Sequence, residues 1–566
     1  MKTIKIATLA ALVLTVGLAG CSTLKPLDPQ RVSVDPQPLV LKGGKVPATI
    51  TVRFPNKWFN KKAEVRVTPI LKYPGGESWG TAYSLQGEKV RGNAQTISYA
   101  GQSVVLNSDF DWKPEMRNAG LYLKFNAKVN GKEVRLPDLK IGEGTIATEA
   151  LADVAYAVPA LAPDNFQRII KKQYDANIQF LIQQANLRGT ELSKSEISNW
   201  KDLVQNAYQI PNQDVDVEVQ AYASPDGGVE LNDKLAQSRE KNTTQYLQRE
   251  LNRLRVEKDV AAHYTAQDWE GFRKLVEQSN LQDKELVLRV LEMYPDPEVR
   301  EREIKNISSV FSDLADVILP QLRRSRLVAN ITIIGKSDDD ILRYLRERPG
   351  RLTVDELLYA ATLSDDPAVK LNAYQQASGI YPKDYRAWNN LGLLRYLAGD
   401  IDGAASYFDK ATNAANAAGV EAPEVALNKG LIALKDGNVR NAQTLIGQAT
   451  KVPEYEGVMG LLAISEGRYA DAAKALRDVP TNNGVLAQIL NKDYNRALEL
   501  LGKISTPDAT TAYLKAIIGA RTAQDSLVRE GIREAVSLDP SLKSTIAQDK
   551  ELGRYTINSD IKSLLM

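Results

Sequence analysis

Apolar and polar residues alternate with a period of two over residues 33–150. Runs such as residues 48–54 (ATITVRF) and 121–129 (LYLKFNAKV) place every second side chain on one face, which is the pattern of a strand that buries one side. Turn signals such as Pro74-Gly75-Gly76 separate these runs. The pattern therefore predicts an N-terminal all-β sandwich of immunoglobulin-like size.

The period changes between residues 163 and 336, where strand-like and helix-like runs alternate. Residues 214–223 alternate as a strand does, residues 230–251 repeat at helical spacing, and residues 327–335 have the pattern of a closing strand. A further block at about 256–325 separates the last two runs. We expect a middle α/β domain with a helical insertion.

Residues 350–545 carry a nearly continuous helical pattern that repeats at a spacing near 34 residues. Such a repeat is typical of a solenoid, in which each unit buries its apolar face against its neighbours. The last residues, 546–566, show no clear pattern and are interpreted as a tail. The chain is thus predicted to be multidomain and to end in an all-α solenoid.

The first residues have the pattern of a secretory signal peptide. Lys2 and Lys5 precede an apolar run at residues 6–18 that is too short to span a bilayer. The sequence LAGC ending at Cys21 resembles the lipobox of bacterial lipoproteins, in which the cysteine is lipidated and becomes the first residue. An ordinary signal peptide with an incidental cysteine is the alternative. Because Cys21 is the only cysteine, its free thiol would have no disulfide partner in an oxidising compartment, and we favour lipidation.

The lipobox resemblance implies a signal peptide over residues 1–20, attachment to a lipid bilayer through acylated Cys21, and a tether over residues 21–32. By the same resemblance, Ser22 in place of aspartate after the cysteine favours the outer membrane, and we expect the protein to face the periplasm. No later run approaches the ~20 apolar residues of a membrane helix.

Charge and composition exclude several classes of function. The formal net charge of +2 falls to about zero once Lys2 and Lys5 leave with the signal, so there is no basic excess for nucleic-acid binding. His263 is the only histidine and Cys21 the only cysteine, which leaves little material for a zinc site or an activated nucleophile. We expect no metal, no cofactor and no nucleic-acid partner.

A motif in the middle domain resembles the OmpA-like family. A strand ends near Ser224 and Asp226, two glycines and Asn232 follow, and the next helix carries Arg239. Asn232 and Arg239 are seven residues apart, about two helical turns, so they share one helix face. The resemblance implies that the turn aspartate and the helix arginine grip the diaminopimelate of peptidoglycan.

The sequence departs from this family where the ammonium group of the ligand would be held. Ser224 takes the place of the family's aspartate, and Ala221 takes that of its first glycine. A hydroxyl is a weaker partner for an ammonium than a carboxylate is, and Asp226 could substitute only if the loop folded differently. Ser224, Asp226, Asn232 and Arg239 are the candidate peptidoglycan-binding residues, and a purely structural role of Arg239 is the alternative.

The insertion resembles a block in OmpA-like lipoproteins of Bacteroidetes, some of which are linked to fimbrial or secretion apparatus. Its end carries Arg323, Arg324 and Arg326. We interpret this cluster as a solvated face, with a bound anion as the alternative.

The segment around Trp388 is similar to the tetratricopeptide repeat. Large and small residues recur at the family's offsets at Trp388, Leu391, Gly392, Gly399, Ala404, Phe408, Ala411, Gly430, Gly437, Ala442, Gly460, Gly467 and Ala472. The small residues let paired helices approach closely and the large ones fill the gap between them. The resemblance implies a concave surface that binds a peptide or a helix of a protein partner.

The leading interpretation is a non-catalytic envelope scaffold. Its lipid anchors it in the membrane, its OmpA-like domain docks it on peptidoglycan, and its repeats bind a protein. The alternative is an envelope hydrolase or glycan-active enzyme. That activity needs paired carboxylates or a nucleophile with a base. The acidic clusters at residues 338–340 and 365–366 are the available carboxylates, and we interpret them as solvated charge in a linker and a turn between helices.

Overall fold

The computed structural model describes residues 24–281 and 283–566. The predicted signal peptide and the lipidation site at Cys21 lie outside these residues. The chain divides into two compact units, of which the first joins the residues up to Pro163 with Pro367–Met566 and the second is Asp164–Asp366. The β-rich region and the helical repeats therefore belong to the same unit.

The first unit begins with a region of short strands. These are β1 (Val32–Asp35), β2 (Leu39–Val40), β3 (Lys45–Phe54), β4 (Ala63–Tyr73), β5 (Gly76–Trp79), β6 (Tyr83–Gly87), β7 (Gln95–Ile97), β8 (Gln102–Asp111), β9 (Gly120–Val129), β10 (Lys132–Arg135), β11 (Leu139–Glu143) and β12 (Thr145–Ile146). One sheet has the order β1-β3-β8, and the larger sheet has the order β10-β9-β4-β6-β7, with β5 beside β4 and β11 beside β9. Strands β2 and β12 pair in parallel.

The alternation in the sequence accounts for the core of this region. Every second side chain of β3 from Val46 to Phe54 is buried, and so is every second side chain of β9 from Leu121 to Val129. Both sets belong to one apolar core, which confirms the β-rich N-terminal region. Leu24 and Leu27 are buried in the same core, so the later part of the predicted tether at residues 21–32 packs on the sheets.

The second unit is an α/β domain. Its elements are β13 (Ile169–Gln179), α1 (Gly189–Leu192), α2 (Ser195–Tyr208), β14 (Gln213–Tyr222), α3 (Val229–Arg253), β15 (Val260–Thr265), α4 (Trp269–Gln278), α5 (Lys284–Met293), α6 (Pro297–Asn306), α7 (Ser308–Asp313), α8 (Leu319–Leu322), β16 (Arg324–Ile334), α9 (Asp338–Glu347) and α10 (Val354–Ala360). The sheet has the order β13-β16-β14-β15. Strands β14 and β15 are parallel and the other neighbours are antiparallel. Buried residues of α2 and α3 share one core with the sheet.

The helical insertion runs from α4 to α8 through a π-helical turn at Leu314–Ile318. It has a core of its own that includes Phe272, Leu291 and Leu322. Strand β15 pairs with β14, so the insertion begins after Thr265 and not at about residue 256. The sequence pattern misplaced this boundary because β15 is short and largely exposed.

The rest of the first unit is helical. Its helices are α11 (Pro367–Ile380), α12 (Tyr385–Leu397), α13 (Ile401–Ala418), α14 (Pro423–Lys435), α15 (Val439–Ile446), α16 (Tyr455–Ser465), α17 (Tyr469–Ala475), α18 (Asn482–Leu490), α19 (Tyr494–Leu501), α20 (Ala509–Arg521), α21 (Asp525–Leu538), α22 (Leu542–Gln548), α23 (Gly553–Thr556) and α24 (Ser559–Leu565). From α12 to α21, consecutive helices pack as pairs: α12 with α13, α14 with α15, α16 with α17, α18 with α19, and α20 with α21.

Each of these helix pairs turns through the same backbone geometry. The turn residue has a positive φ in each case, at Gly399, Gly437, Gly467, Lys492 and Ala523. The N–H of the following residue donates to the carbonyl five residues earlier, as Asp400 does to Arg395 and Gln524 to Gly519, which closes the helix end in a Schellman motif. The repeats therefore continue through α21, although glycine is absent from the last two turns.

The last residues are helical and not a tail. Ile546, Leu552 and Ile561 are buried in one core with residues of α20 and α21. Helices α22 to α24 have only four to seven residues, too few for a clear period in the sequence. Within the residues that the structure describes, no helix is long and apolar enough to cross a membrane.

Candidate functional site

The four candidate residues of the second unit lie around one small cavity. Ser224 and Asp226 are in the loop between β14 and α3, and Asn232 and Arg239 are on α3. All four line a cavity of about 50 Å³ together with Arg323. The fold thus brings these side chains together and adds Arg323 from the end of the insertion.

The guanidinium of Arg239 is held by backbone carbonyls. Its side chain is 1% exposed, its Nε donates to the Gln184 carbonyl over 3.0 Å, and a terminal nitrogen donates to the Tyr222 carbonyl over 2.8 Å. Burial, followed by the charge of Arg323, lowers the pKa of Arg239 to about 10, while Asp226 acts in the opposite direction. Arg239 therefore stays charged at neutral pH and fixes the loop after β13.

Asp226 supplies the negative charge of this cavity. Arg323 donates to Asp226 Oδ2 over 2.8 Å and to Ser224 Oγ over 3.2 Å, and the Ser224 hydroxyl donates to Asp226 Oδ1 over 2.5 Å. The Asn232 amide donates to the Ser224 carbonyl over 2.9 Å. Among the described residues that line the cavity, two guanidinium groups face one carboxylate, which leaves the lining with a net positive charge.

The basic cluster at the end of the insertion is divided among separate ion pairs. These pairs are Arg323 with Asp226 at 2.8 Å, Arg324 with Asp268 at 3.0 Å, and Arg326 with Asp175 at 2.9 Å. The predicted solvated face is thus a set of structural contacts, and Arg323 and Arg324 are largely buried.

The acidic cluster at residues 338–340 forms the first turn of α9 and does not lie in a linker. The Ser337 hydroxyl caps this helix by accepting from the Asp340 N–H. Asp338 accepts from Arg168, and Asp340 accepts from Arg343. These carboxylates therefore serve helix capping and ion pairing.

The predicted packing residues of the repeats lie between the helices of each pair. A glycine on the first helix faces a large side chain sixteen residues later. A Cβ at these glycines would lie 2.6 Å from the Phe408 ring for Gly392, 2.5 Å from Ile446 Cγ1 for Gly430, and 2.3 Å from Leu476 Cγ for Gly460. These contacts leave no room for a larger residue.

The other packing residues are buried or lie in the turns. Leu391, Ala404, Phe408, Ala411, Ala442 and Ala472 are buried, and Gly399, Gly437 and Gly467 occupy the turns with positive φ. Trp388 is only partly buried. Its ring stacks on Tyr407 with centroids 6.3 Å apart, and its indole N–H donates to the Pro382 carbonyl over 3.0 Å.

Residues 147–163, which we call the connecting segment, follow the last strand of the β-rich region and run along the first helices of successive pairs. Three asparagines of these helices each form two hydrogen bonds with the backbone of one segment residue. Their carboxamide accepts the residue's N–H and donates to its carbonyl, in the pairs Asn483 with Asp153 at 3.1 and 2.7 Å, Asn428 with Ala160 at 2.7 and 2.9 Å, and Asn390 with Ala162 at 2.9 and 3.1 Å.

The segment lies in a groove, because the three asparagines and two of their three backbone partners are buried. Asn390, Asn428 and Asn483 are at most 2% exposed, and Ala160 and Ala162 are at most 1% exposed. The segment passes α18 first, then α14 and then α12, so it runs opposite to the order of the repeats. We call the surface that these helices form the repeat groove.

Further side chains of the repeat groove hold the middle of the segment. The Tyr396 hydroxyl donates to the Val154 carbonyl, and burial raises the pKa of Tyr396. The Tyr156 hydroxyl donates to Asp508 over 2.8 Å. Burial acts to raise the pKa of Asp508, but its hydrogen bonds, the first of them from the Thr511 N–H, leave that pKa lowered. Asp508 therefore stays ionised and able to accept from Tyr156.

The start of the segment joins the repeats to the β-rich region through Glu149. This carboxylate is 6% exposed and accepts from the N–H groups of Gly43 and Gly44 over 2.8 and 2.9 Å. The Tyr469 hydroxyl of α17 also donates to it. Burial, followed by this hydrogen bond to Glu149, raises the pKa of Tyr469. Glu149 thus anchors the upstream part of the segment.

The groove asparagines were not among the candidate residues, although the sequence carries a periodic signal for them. Asn390 and Asn428 stand two residues before the repeat glycines Gly392 and Gly430. Asn483 stands two residues before Val485, which occupies the same place relative to the turn residue Lys492. A polar residue at one phase of a repeat, on an otherwise buried helix face, indicates a shared contact.

Known proteins show similarity to the repeat region. Residues 368–419 match the tetratricopeptide repeat family, and a comparison with curated protein sequences finds no match. Among solved structures, pilF of Pseudomonas aeruginosa is 13% identical over 39% of this chain and 100% of its own, with a TM-score of 0.28. A tetratricopeptide repeat protein of Parabacteroides merdae is 15% identical over 45% of this chain and 98% of its own, with a TM-score of 0.27.

A third solved structure, the Cut9-Hcn1 hetero-tetramer of the APC/C, is 14% identical over 38% of this chain and 46% of its own, with a TM-score of 0.30. These TM-scores are too low for a shared overall fold. The conclusion therefore rests on the family match and the repeated helix pairs. The C-terminal region contains tetratricopeptide-type repeats, which indicate a protein-interaction scaffold. The family that matches is not an enzyme family.

Proposed function

We propose that this protein is a non-catalytic scaffold of the bacterial envelope, anchored as a lipoprotein in the outer membrane on its periplasmic side. Its repeats bind a protein partner, and its second unit docks on peptidoglycan during assembly of a fimbrial or secretion apparatus. The observation that carries the proposal is the run of helix pairs with one turn geometry, which begins in the region that matches the tetratricopeptide family. Stacked repeats of this kind present extended binding surfaces.

The anchoring part of the proposal rests on the lipobox-like sequence that ends at Cys21. Replacing Cys21 with serine removes the acceptor for the lipid while leaving the described residues unchanged. We expect this variant to move from the membrane fraction to the soluble fraction, because it has lost the site at which the lipid is attached. One acyl chain binds a membrane only marginally, at about 10⁴ M⁻¹, so a lipoprotein depends on several chains. Retention in the membrane would show that a different element anchors the chain.

The peptidoglycan part of the proposal is supported by the net positive cavity of the second unit. With Arg323 paired to Asp226 over 2.8 Å, the charge of Arg239 is the surplus that a carboxylate of diaminopimelate would neutralise. We expect weak cosedimentation of the full chain with purified peptidoglycan. Asp226→Asn increases the surplus positive charge of the cavity and should strengthen binding of a carboxylate. Unchanged cosedimentation of this variant would show that peptidoglycan does not bind at this cavity.

The scaffold proposal as a whole is tested by crosslinking the tagged chain in intact cells. Lysines such as Lys429, Lys435 and Lys503 lie on or beside the repeat helices and can form crosslinks. The proposal requires one protein to be recovered in stoichiometric amounts with crosslinks to the region 367–538. A chain that is recovered without crosslinks in this region would contradict it.

A further inference from the structure

At three residues of the connecting segment, the repeat groove recognises the backbone. Each of Asn390, Asn428 and Asn483 offers one carboxamide oxygen and one amide nitrogen to the N–H and C=O of a single residue. Every residue except proline carries these two backbone groups. These hydrogen bonds by themselves therefore require only that the residue is not proline.

In the last part of the segment, the groove encloses the side chains of Pro159, Ala160 and Ala162. Ala160 and Ala162 are 0% and 1% exposed, so both methyl groups are enclosed. Val158 and Leu161 are 58% and 43% exposed and point away from the helices. An occupant of this part of the groove thus needs alanine-sized residues at two positions separated by one residue, and a residue before the first of them that fits the site of Pro159. It is free at the positions of Val158 and Leu161.

The two parts of the segment are held unequally. Upstream, the Glu149 carboxylate fixes the chain to Gly43, Gly44 and Tyr469. Downstream, Ala160 and Ala162 are held by neutral amide pairs and by the burial of single methyl groups, and the Pro163 carbonyl accepts from Arg386 over 3.3 Å. Charge-assisted hydrogen bonds are roughly twice as strong as neutral ones, and Glu149 accepts three of them, whereas the Arg386 contact downstream is a single long one at 3.3 Å. Residues 157–163 can therefore leave the groove while Glu149 keeps the upstream part in place.

We propose that residues 157–163 are a tethered occupant of the repeat groove, which an extended segment of a partner protein replaces. The partner presents alanine-sized residues at two positions separated by one residue, and its backbone takes over the amide pairs of Asn390 and Asn428. This inference rests on the proposed function, in which the repeats bind a protein. The tether gives the resident segment an effective concentration of about 1 mM, so a free peptide competes poorly until the segment is released.

The test uses the full chain and a fluorescein-labelled synthetic peptide of residues 151–164, with binding followed by fluorescence anisotropy. The release variant is Ala160→Arg with Ala162→Arg, because neither arginine fits an enclosed methyl site. The matched control is Val158→Arg with Leu161→Arg, which places the same charges in the same segment at exposed positions. We expect the release variant to bind the peptide roughly a hundredfold more tightly than the wild type, and the control to resemble the wild type.

Adding Asn390→Leu and Asn428→Leu to the release variant should abolish peptide binding, because both amides that pair with the backbone at the two enclosed positions are lost. Binding that survives these changes would place the peptide outside the groove and overturn the proposal. Equal and weak binding by the wild type and the release variant would also overturn it, since the segment would then be a permanent part of the fold. If the release variant does not fold, replacement of residues 157–163 by a glycine-serine sequence of equal length is judged by the same outcomes.

This test and the crosslinking test fail independently. A peptide that binds the released groove while no partner crosslinks to the repeats would leave the exchange site intact and remove the scaffold proposal. A partner that crosslinks to the repeats while the released groove ignores the peptide would keep the scaffold and place the partner on another surface.

Discussion

The carboxamide of Asn428 and the backbone of Ala160 form two hydrogen bonds with each other. The Ala160 N–H donates to Asn428 Oδ1 over 2.7 Å, and Asn428 Nδ2 donates to the Ala160 carbonyl over 2.9 Å. Both residues are 0% exposed. A residue 268 positions earlier in the chain thus occupies the surface on which a tetratricopeptide-type repeat is expected to receive another protein.

Removing this amide should weaken the first unit. Asn428→Leu keeps a similar side-chain volume but leaves the Ala160 N–H without its acceptor. The Ala160 carbonyl keeps its bond from Asn389 Nδ2 over 3.0 Å, and we expect the unfolding free energy to fall by about 1–3 kcal/mol. If the segment leaves the groove, its backbone groups bond to water instead. The loss of unfolding free energy therefore cannot exceed the free energy with which the segment binds the groove. Denaturant unfolding of the full chain measures it. The control is Asn416→Leu at an exposed position of α13, and an equal loss in both variants would contradict a specific contact.

The repeats were readable from the sequence because their packing is local and periodic. Gly392 and Gly430 stand where helices approach closely, and the sequence shows both at one repeat phase. The occupant of the groove could not be predicted from the sequence, because Ala160 and Asn428 come together only in the folded chain. An alanine-rich run carries no signal that distinguishes a bound segment from a linker.

Two glycines of helix α16 should respond oppositely to the same substitution. A Cβ at Gly460 would lie 2.3 Å from Leu476 Cγ, whereas a Cβ at Gly457 meets nothing within 4 Å. Gly460→Ala should destabilise the repeats by about 1–3 kcal/mol through overpacking. Gly457→Ala should leave stability unchanged or raise it by up to about 1 kcal/mol, because alanine favours the helix. Thermal unfolding of both variants checks the sign, and a loss at Gly457 would show that the helix face has been misassigned.

The turn between α20 and α21 should be improved by glycine. Ala523 has φ +56 in this turn, a left-handed conformation that costs an L-residue about 1–2 kcal/mol. After the greater backbone entropy that glycine loses on folding, we expect Ala523→Gly to raise the unfolding free energy by about 0.5–1 kcal/mol. Ala405→Gly inside α13 is the control and should lower stability by about 1 kcal/mol. A decrease in the melting temperature with Ala523→Gly would contradict the shared turn geometry.

Arg239 should behave as a structural residue in unfolding experiments. Arg239→Ala leaves the carbonyls of Gln184 and Tyr222 without their donor, and we expect a loss of about 2–4 kcal/mol from the unfolding free energy of the second unit. Arg249→Ala at an exposed position of the same helix should change stability by less than about 0.5 kcal/mol. Similar unfolding curves for both variants would show that Arg239 does not support the loop after β13.

The surroundings of Arg239 could be predicted from the sequence only in part. The spacing of Asn232 and Arg239 predicts a shared helix face because both residues lie on one element. Arg323 joins Asp226 only through the fold, and the Gln184 carbonyl that accepts from Arg239 lies 55 residues away. The resemblance to the OmpA-like family therefore pointed to four residues of the cavity but not to their partners, which decide whether a charge is available to a ligand.

Hydrogen exchange at the backbone amides of Asp153, Ala160 and Ala162 in the full chain shows whether the connecting segment occupies the repeat groove in solution. These N–H groups donate to buried asparagine carboxamides. A segment that occupies the repeat groove should exchange at these positions at least about a hundredfold more slowly than an unstructured chain. Exchange at the rate of an unstructured peptide, while the repeat helices stay protected, would mean that the segment does not occupy the groove in solution.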